Sequence, residues 1–280
     1  MMPTISGRTQ VLAHLGVPTE SFKAPMIYNP WFADQGIDCV VVPMGCEPED
    51  FQGLMKHLAR LRNFAGALIT MPHKIAVVDL LDEVSTTVKI CGACNAVKRD
   101  TAGRLIGDMF DGEGFVRGVS RKGRQIAGAS VLIVGSGGVG SAIAASFAAK
   151  GAGKIGLYDV NETASNALAD RLATHYPMLT LATGSNDPSG YDIVVNATPL
   201  GMKPGDPMPL ETDRIDPTSF VGEVVMTAEE TVFLAAARAR GCETQIGTDM
   251  LFEQIPAYLE FYGFPSTTPD ILRNLAEIKY

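Results

Sequence analysis

An α/β fold built as two α/β domains is what this chain predicts, and three observations predict it. Strand-like and helix-like segments alternate almost throughout, the pattern of largely parallel sheets covered by helices. The 280 residues suffice for two domains of ordinary size, each with its own core. A glycine-rich turn, GSGGVG at 135–140, joins an apolar strand to a small-residue helix and marks the start of a second unit.

In the first third, strands are expected near Val11–Leu15, Cys39–Pro43 and Gly66–Thr70, with helices near Met26–Gln35, Pro48–Arg62 and Ile75–Leu81. Asn95–Arg99, the turn DTAG and Leu105–Asp108 read as a hairpin. The second unit follows the basic turn RKGRQ at 121–125. Ala129–Val134 is a buried strand, and Val139–Lys150 a helix stopped by Gly151. Then come a strand at Ile155–Asp159, a helix over Glu162–His175, strands at Ile193–Thr198 and Phe220–Val225, and a helix at Thr231–Arg240. The closing helices, near Met250–Phe261 and Pro269–Ile278, fit either unit.

Composition narrows the function. A net charge of −8 argues against a nucleic-acid footprint, and no apolar run is long enough for a membrane helix. MMPTISGRTQ lacks the basic and apolar regions of a signal peptide. Five cysteines, an odd number, do not make a disulfide framework, so a cytoplasmic location is expected. Cys91 and Cys94 form a CxxC with no second ligand pair to complete a zinc site, so they are read as small buried thiols and no metal is expected.

Gly135, Gly137 and Gly140 fit G-x-G-x-x-G, with an extra Gly138, between strand and helix. Such glycines let the backbone approach a pyrophosphate, which then sits on the helix N-terminus, the Rossmann arrangement. Asp159, ending the next strand about 20 residues on, is of the type that accepts from ribose hydroxyls and repels a 2′-phosphate. The expectation is therefore NAD, with NADP the less favoured alternative.

Dinucleotide chemistry on an alcohol needs a group to take the hydroxyl proton. Two charged residues qualify outside the glycine loop: Lys74, closing GALITMPHK, and Asp111, in GDMFDGEGF before a helix. Charged groups at strand ends are where α/β ligand sites lie. The bland reading of the same residues is a surface lysine and a helix-capping aspartate.

These segments resemble the shikimate/quinate dehydrogenase family. GALITMPHK is similar to the family's GANVTxPxK, CGACNAV to IGAxNTV, and IGDMFDGEGF to GxNTDGxGF. GSGGVG resembles its cofactor loop, and VVNATPLGM and GTDMLFEQ resemble its later segments. The matches come in family order from about residue 7 to about residue 262. The resemblance implies an NAD(P)-dependent alcohol dehydrogenase of aromatic amino acid biosynthesis, acting on a small molecule as a monomer or homodimer. It implies a catalytic domain with a mostly parallel sheet, residues 1–108 plus 246–280, and a Rossmann cofactor domain, 109–245. Lys74 falls on the catalytic lysine and Asp111 on its partner. Thr70, Asn95 and Gln254 fall on substrate-binding positions. Gly135, Ser136, Gly137, Gly138, Val139, Gly140, Asp159, Thr198, Val224 and Gly247 fall on or beside cofactor contacts. His73, next to Lys74, is read as a bystander.

Three departures stand out. The family's S-x-S-P pair, which grips the substrate carboxylate, is Phe22-Lys23-Ala24-Pro25 here; the Asn-Thr of GxNTD is Met109-Phe110; and a substrate-facing tyrosine is Met226. Each hydrogen bond lost to a charged group is worth about 1.5–3 kcal/mol, roughly ten- to a hundredfold in binding. Ser21 and Lys23 are the candidates for a replacement anion contact. Two other readings stay open: a dinucleotide-binding regulator with little catalysis, and a dehydrogenase of an unrelated polyol.

Overall fold

The computed structural model describes residues 4–227 and 230–278. The chain divides into two compact units, one of residues up to Phe110 together with those from Ile255 onward, the other Asp111–Gln254.

The first unit begins with the strands β1 (Gln10–Gly16), β2 (Cys39–Gly45) and β3 (Phe64–Ile69), joined by the helices α1 (Ala24–Asp34) and α2 (Pro48–Leu58). A two-residue strand β4 (Glu83–Val84), the short helix α3 (Thr86–Cys91) and the hairpin β5 (Ala96–Arg99) and β6 (Leu105–Asp108) follow. The sheet order is β2-β1-β3-β5-β6-β4. β1 lies between β2 and β3, parallel to both, and β5 turns the sheet antiparallel. β1 is buried along its last five residues, as a strand covered on both faces must be. Its edge neighbour β2 has its backbone satisfied from a helix: Asn29 Nδ2 donates to Val41 O at 3.0 Å, and Val41 N donates to Asn29 Oδ1 at 2.7 Å.

The second unit opens with α4 (Asp111–Arg121) and continues β7 (Ser130–Val134), α5 (Gly138–Ala149), β8 (Lys154–Tyr158), α6 (Glu162–His175), β9 (Thr180–Thr183) and β10 (Ile193–Asn196). It closes with β11 (Phe220–Glu223), α7 (Val232–Ala239), β12 (Glu243–Gln245) and the first half of α8 (Gly247–Tyr262). The last helix, α9 (Pro269–Leu275), belongs to the first unit. The second sheet is parallel throughout, in the order β12-β11-β10-β7-β8-β9. Counted from β7 this is the 3-2-1-4-5-6 order of doubly wound dinucleotide-binding sheets, which reverses direction between β7 and β10. α4 packs tightly on α5: a Cβ on Gly112 would meet the carbonyl of Ala142.

Two expectations need revision. Residues 75–81 form turns with one 3-10 turn at Val78–Leu80 instead of an α-helix. Cys94 N–H takes the Lys74 carbonyl at 2.8 Å, removing an acceptor that a helix would use, and the β-branched Val77 and Val78 favour helix weakly. α3 escapes the periodicity reading because it is a single short segment. Its ends are nonetheless marked, by Ser85 accepting from Val88 N at 3.3 Å and by left-handed Gly92 with φ 67°.

Candidate active site

In the first unit, three backbone ties gather the predicted substrate residues at the C-terminal end of the interior strand β3. Thr70 N donates to Leu15 O at 2.9 Å, carrying the β1–β3 ladder one residue beyond the strand. Ile69 N donates to Asn95 O at 2.9 Å, and Cys94 N to Lys74 O at 2.8 Å. Thr70, Lys74 and Asn95 therefore stand on adjoining segments, Thr70 and Lys74 half-buried and Asn95 buried. Asn95 Oδ1 accepts from Phe110 N at 2.9 Å, which fixes the side-chain amide.

His73 serves the scaffold. It is 1% exposed, stacks on Phe51 with ring centroids 4.1 Å apart, and places Nε2 2.8 Å from Cys46 O. Cys94 donates its Sγ–H to Ala96 O at 3.2 Å, and burial pushes its thiol up to about 12. That leaves no thiolate for redox chemistry. Among the described residues no cluster of metal-ligating side chains occurs.

The departures can now be placed. Phe22 is buried and stacks on His14 with centroids 4.0 Å apart. Its ring also lies over Gly16, whose Cβ, if present, would meet Phe22 Cζ at 3.1 Å. Phe110 is part of an aromatic core, 4.9 Å from Tyr258 and 5.5 Å from Phe261 between centroids. Met226 is exposed. Lys23 is half-buried at the start of α1, and the Ser21 side chain lies outside the described residues.

In the second unit Asp111 is the first residue of α4 and is buried, where the helix dipole favours a carboxylate. Gln254 packs its Cβ near Gly114, and its Oε1 is buried with no hydrogen-bond partner. Such an acceptor is open to a donor from water or a ligand.

The glycine loop fits a dinucleotide pyrophosphate. Gly135, at φ +106°, is pressed against Ala197, and a Cβ on Gly140 would strike the Gly135 carbonyl. A Cβ on Gly137 or Gly138 would meet nothing within 4 Å. Two glycines thus hold α5 against the sheet and two leave open space at its N-terminus, where the first N–H groups await an anion. No side chain caps α5 at Gly137, and Ser136 Oγ is buried without a partner. Val139 is half-buried in the first turn.

At the end of β10, Thr198 is folded back on Asn196: its N and Oγ1 donate to Asn196 Oδ1 at 3.1 and 2.6 Å. Val224 N donates to Asn196 O at 3.2 Å, and Gly247 sits against the Val225 carbonyl, where a Cβ would not fit. Glu223, missed by the sequence reading, is 1% exposed in β11 beside this network. Burial pushes its carboxyl up, against hydrogen bonds from the Thr231 and Asn196 side chains. An acid inside the apolar run FVGEVV was the available signal.

Residues 15–97 match the family of the shikimate dehydrogenase substrate binding domain. The shikimate dehydrogenase (NADP(+)) of Rhodospirillum rubrum is 32% identical over 276 residues, spanning 96% of this chain and 97% of that protein. The shikimate dehydrogenase (NADP(+)) of Desulforamulus reducens is 32% identical over 97% of this chain and 96% of its own. The fold is that of shikimate 5-dehydrogenase from Listeria monocytogenes, crystallised with shikimate and NAD, at a TM-score of 0.91, 24% identity and coverage of 98% and 99%.

These relatives correct the expectation of NAD over NADP, since the curated relatives are NADP(+) enzymes. The physical flaw lies at Asp159, on which that expectation stood. Its Oδ2 accepts from Ser136 N at 2.7 Å and its Oδ1 from Asn161 N at 2.9 Å. One oxygen braces the glycine loop and the other the turn after β8, so the acid has a structural role at this strand end and its presence alone does not select NAD over NADP. With a third of its residues shared over nearly the whole length of curated relatives, the chain belongs to the shikimate/quinate dehydrogenase family.

Proposed function

We propose that the protein is an oxidoreductase that interconverts a secondary ring alcohol and its ketone on a shikimate- or quinate-like substrate, with weakened recognition of the substrate carboxylate. The observation that carries this reading is the gathering of Thr70, Lys74 and Asn95 at the C-terminal end of β3 by backbone ties from three segments. A bound nicotinamide dinucleotide, NADP as in the curated relatives, supplies the hydride acceptor.

In this reading Lys74 takes the hydroxyl proton as the carbon is oxidised and returns it on reduction, and Asp111, buried at the start of α4, is the second residue of the catalytic pair that the family resemblance assigns. Thr70 and Asn95 hold ring hydroxyls, and Gln254, whose Oε1 lacks a partner, is the third residue that the resemblance assigns to this role. The segment up to Phe110 carries the substrate residues, and the glycine loop Gly135, Ser136, Gly137, Gly138, Val139 and Gly140 carries the pyrophosphate. Thr198, Val224 and Gly247 are the further positions on or beside the cofactor contacts. Weakened carboxylate recognition rests on Phe22 and Ala24 standing where the family has its hydroxyl pair.

Purified protein is assayed with NADP on a panel of cyclic hydroxy acids, beside Lys74→Ala. Turnover that falls at least a hundredfold in the variant supports the reading. No turnover on the panel, or an unaffected variant, refutes it.

A further inference from the structure

His14 is the one described histidine in the first unit that neither the scaffold nor the proposed chemistry accounts for. It is 9% exposed, and its Nδ1 is buried with no hydrogen-bond partner. By contrast His73 has the Cys46 carbonyl and His57 the Gly53 carbonyl. Native proteins seldom leave a buried ring nitrogen unpaired unless a ligand or water completes it.

Its position is set by the strand. His14 and Gly16 alternate along β1 and so project to the same face of the sheet. Register pairs His14 with Leu68 of β3, and Thr70, two residues on, shares that face, its Cγ2 touching the site where a Cβ of Gly16 would stand. Phe22 covers the same face, stacked on the imidazole with its edge over Gly16. His14, Phe22 and Thr70 thus surround Gly16 on one side of the sheet.

The chemistry of this wall follows from its charge. Burial, and then the nearby Lys74 ammonium, lower the His14 pKa to about 4, so the imidazole is neutral near pH 7. A neutral imidazole has one donor and one acceptor nitrogen, the complement of a hydroxyl, which also gives and takes one hydrogen. A carboxylate brings only acceptors and a charge that must be desolvated against the Phe22 ring. In the proposed function Lys74 exchanges its proton with the reacting hydroxyl and is not available to neutralise a second group.

We infer that His14 is a specificity-determining residue: with Phe22 it forms an uncharged, hydrogen-bonding wall beside Thr70 that accepts a hydroxyl or carbonyl group of the ring substrate in preference to a carboxylate. The inference rests on the proposed function and narrows it to polyhydroxylated rings bearing a neutral group where shikimate bears its acid.

The experiment compares shikimate with its hydroxymethyl analogue, identical but for the carboxyl reduced to an alcohol, on wild type, His14→Leu and His14→Gln. The wild type is expected to favour the neutral analogue in kcat/KM by about tenfold, the size of one well-placed hydrogen bond. His14→Leu should lose that preference through KM at unchanged kcat, and His14→Gln, which keeps a polar end, should recover part of it. A tenfold wild-type preference for shikimate, or a His14→Leu variant with an unaltered ratio, overturns the inference.

If neither compound is turned over, the oxidoreductase reading fails, and calorimetry of the same two compounds decides this one separately. Tighter binding of the neutral analogue that disappears in His14→Leu supports it. Equal affinities in wild type and variant overturn it. Because leucine fills the volume without leaving a buried nitrogen unpaired, the variant folds at least as well as wild type, which a thermal melt checks.

Discussion

Gly137 and Gly140 lie three residues apart in the same loop, yet alanine at each should fail in a different way. Gly137 has φ −71° and ψ −170°, a conformation open to any residue, and an added Cβ meets nothing within 4 Å. Gly137→Ala should therefore hold or gain stability, by about 0.4–1 kcal/mol, because the unfolded chain loses freedom. Its methyl stands in the space a pyrophosphate must enter at the α5 N-terminus, so NADP affinity should fall at least tenfold, about 1.4 kcal/mol.

Gly140 is the reverse case. A Cβ there strikes the Gly135 carbonyl oxygen, with Gly135 C at 2.9 Å and Ala197 Cβ at 3.2 Å. Two of the three obstacles are backbone and cannot rotate away. Overpacking of this kind costs about 1–3 kcal/mol, or roughly 3–10 °C in melting midpoint for a unit of this size. Thermal melts of the protein without cofactor, together with NADP titration by calorimetry, separate the two variants. A Gly137→Ala protein that melts as low as Gly140→Ala, or one that binds NADP as wild type does, would refute the division of roles.

Four further outcomes are expected. Lys74→Met should lower kcat by about 10²–10⁴ while NADP affinity, measured by calorimetry, stays within twofold. His73→Ala removes a ring buried against Phe51 and should cost about 2–3 kcal/mol in urea unfolding, with kcat within twofold of wild type. Glu223 has its pKa raised from 4.5 chiefly by burial, so its contribution is present below pH 4.5 and is lost as pH rises through the raised folded value. The difference in urea midpoint between wild type and Glu223→Gln, which cancels the groups the two share, should shift against wild type as pH rises from 4 across that window. His14, lowered from 6.5 to about 4, contributes stability above pH 6.5 that is lost as pH falls through about 4. That loss is on the order of 3 kcal/mol, and a His14→Leu variant should escape it in the same titration.

The fold was legible wherever burial set the pattern. β1, β3, β7 and β10 are apolar runs, and each lies where its sequence reads as strand. What escaped were elements made by tertiary pairing. β9 (TLAT) and β12 (ETQ) are short and polar, held only as the two edges of the second sheet, and nothing in such segments alone asks for a strand. The expected helix at 75–81 failed for a related reason. Local periodicity was there, but Cys94 N–H reaches in from a distant segment and claims the Lys74 carbonyl.

The candidate site divides along another line. Glycines are readable because their reason is the absence of a side chain, and the loop at 135–140 could be placed from spacing and context alone. A polar or aromatic side chain is different, because sequence gives the groups it carries but not which of them the protein has already engaged. Asp159 read as a ribose acceptor, and its oxygens are found also bracing Ser136 and Asn161, a structural reason for an acid there that the sequence does not display. Phe110 stands where the family has a polar residue, and only the structure shows that its ring lies among Tyr258 and Phe261. His14 attracted no notice in β1, because a histidine in an apolar strand reads as a satisfied core residue. Its Nδ1, like Oε1 of Gln254, is instead a buried group with no partner. A buried polar atom left unpaired carries a free-energy cost that a satisfied one does not, and a donor or acceptor on a ligand is what removes it. For recognition in this protein, the informative residues are therefore those whose hydrogen-bonding capacity the fold leaves unmet, a property no single sequence displays.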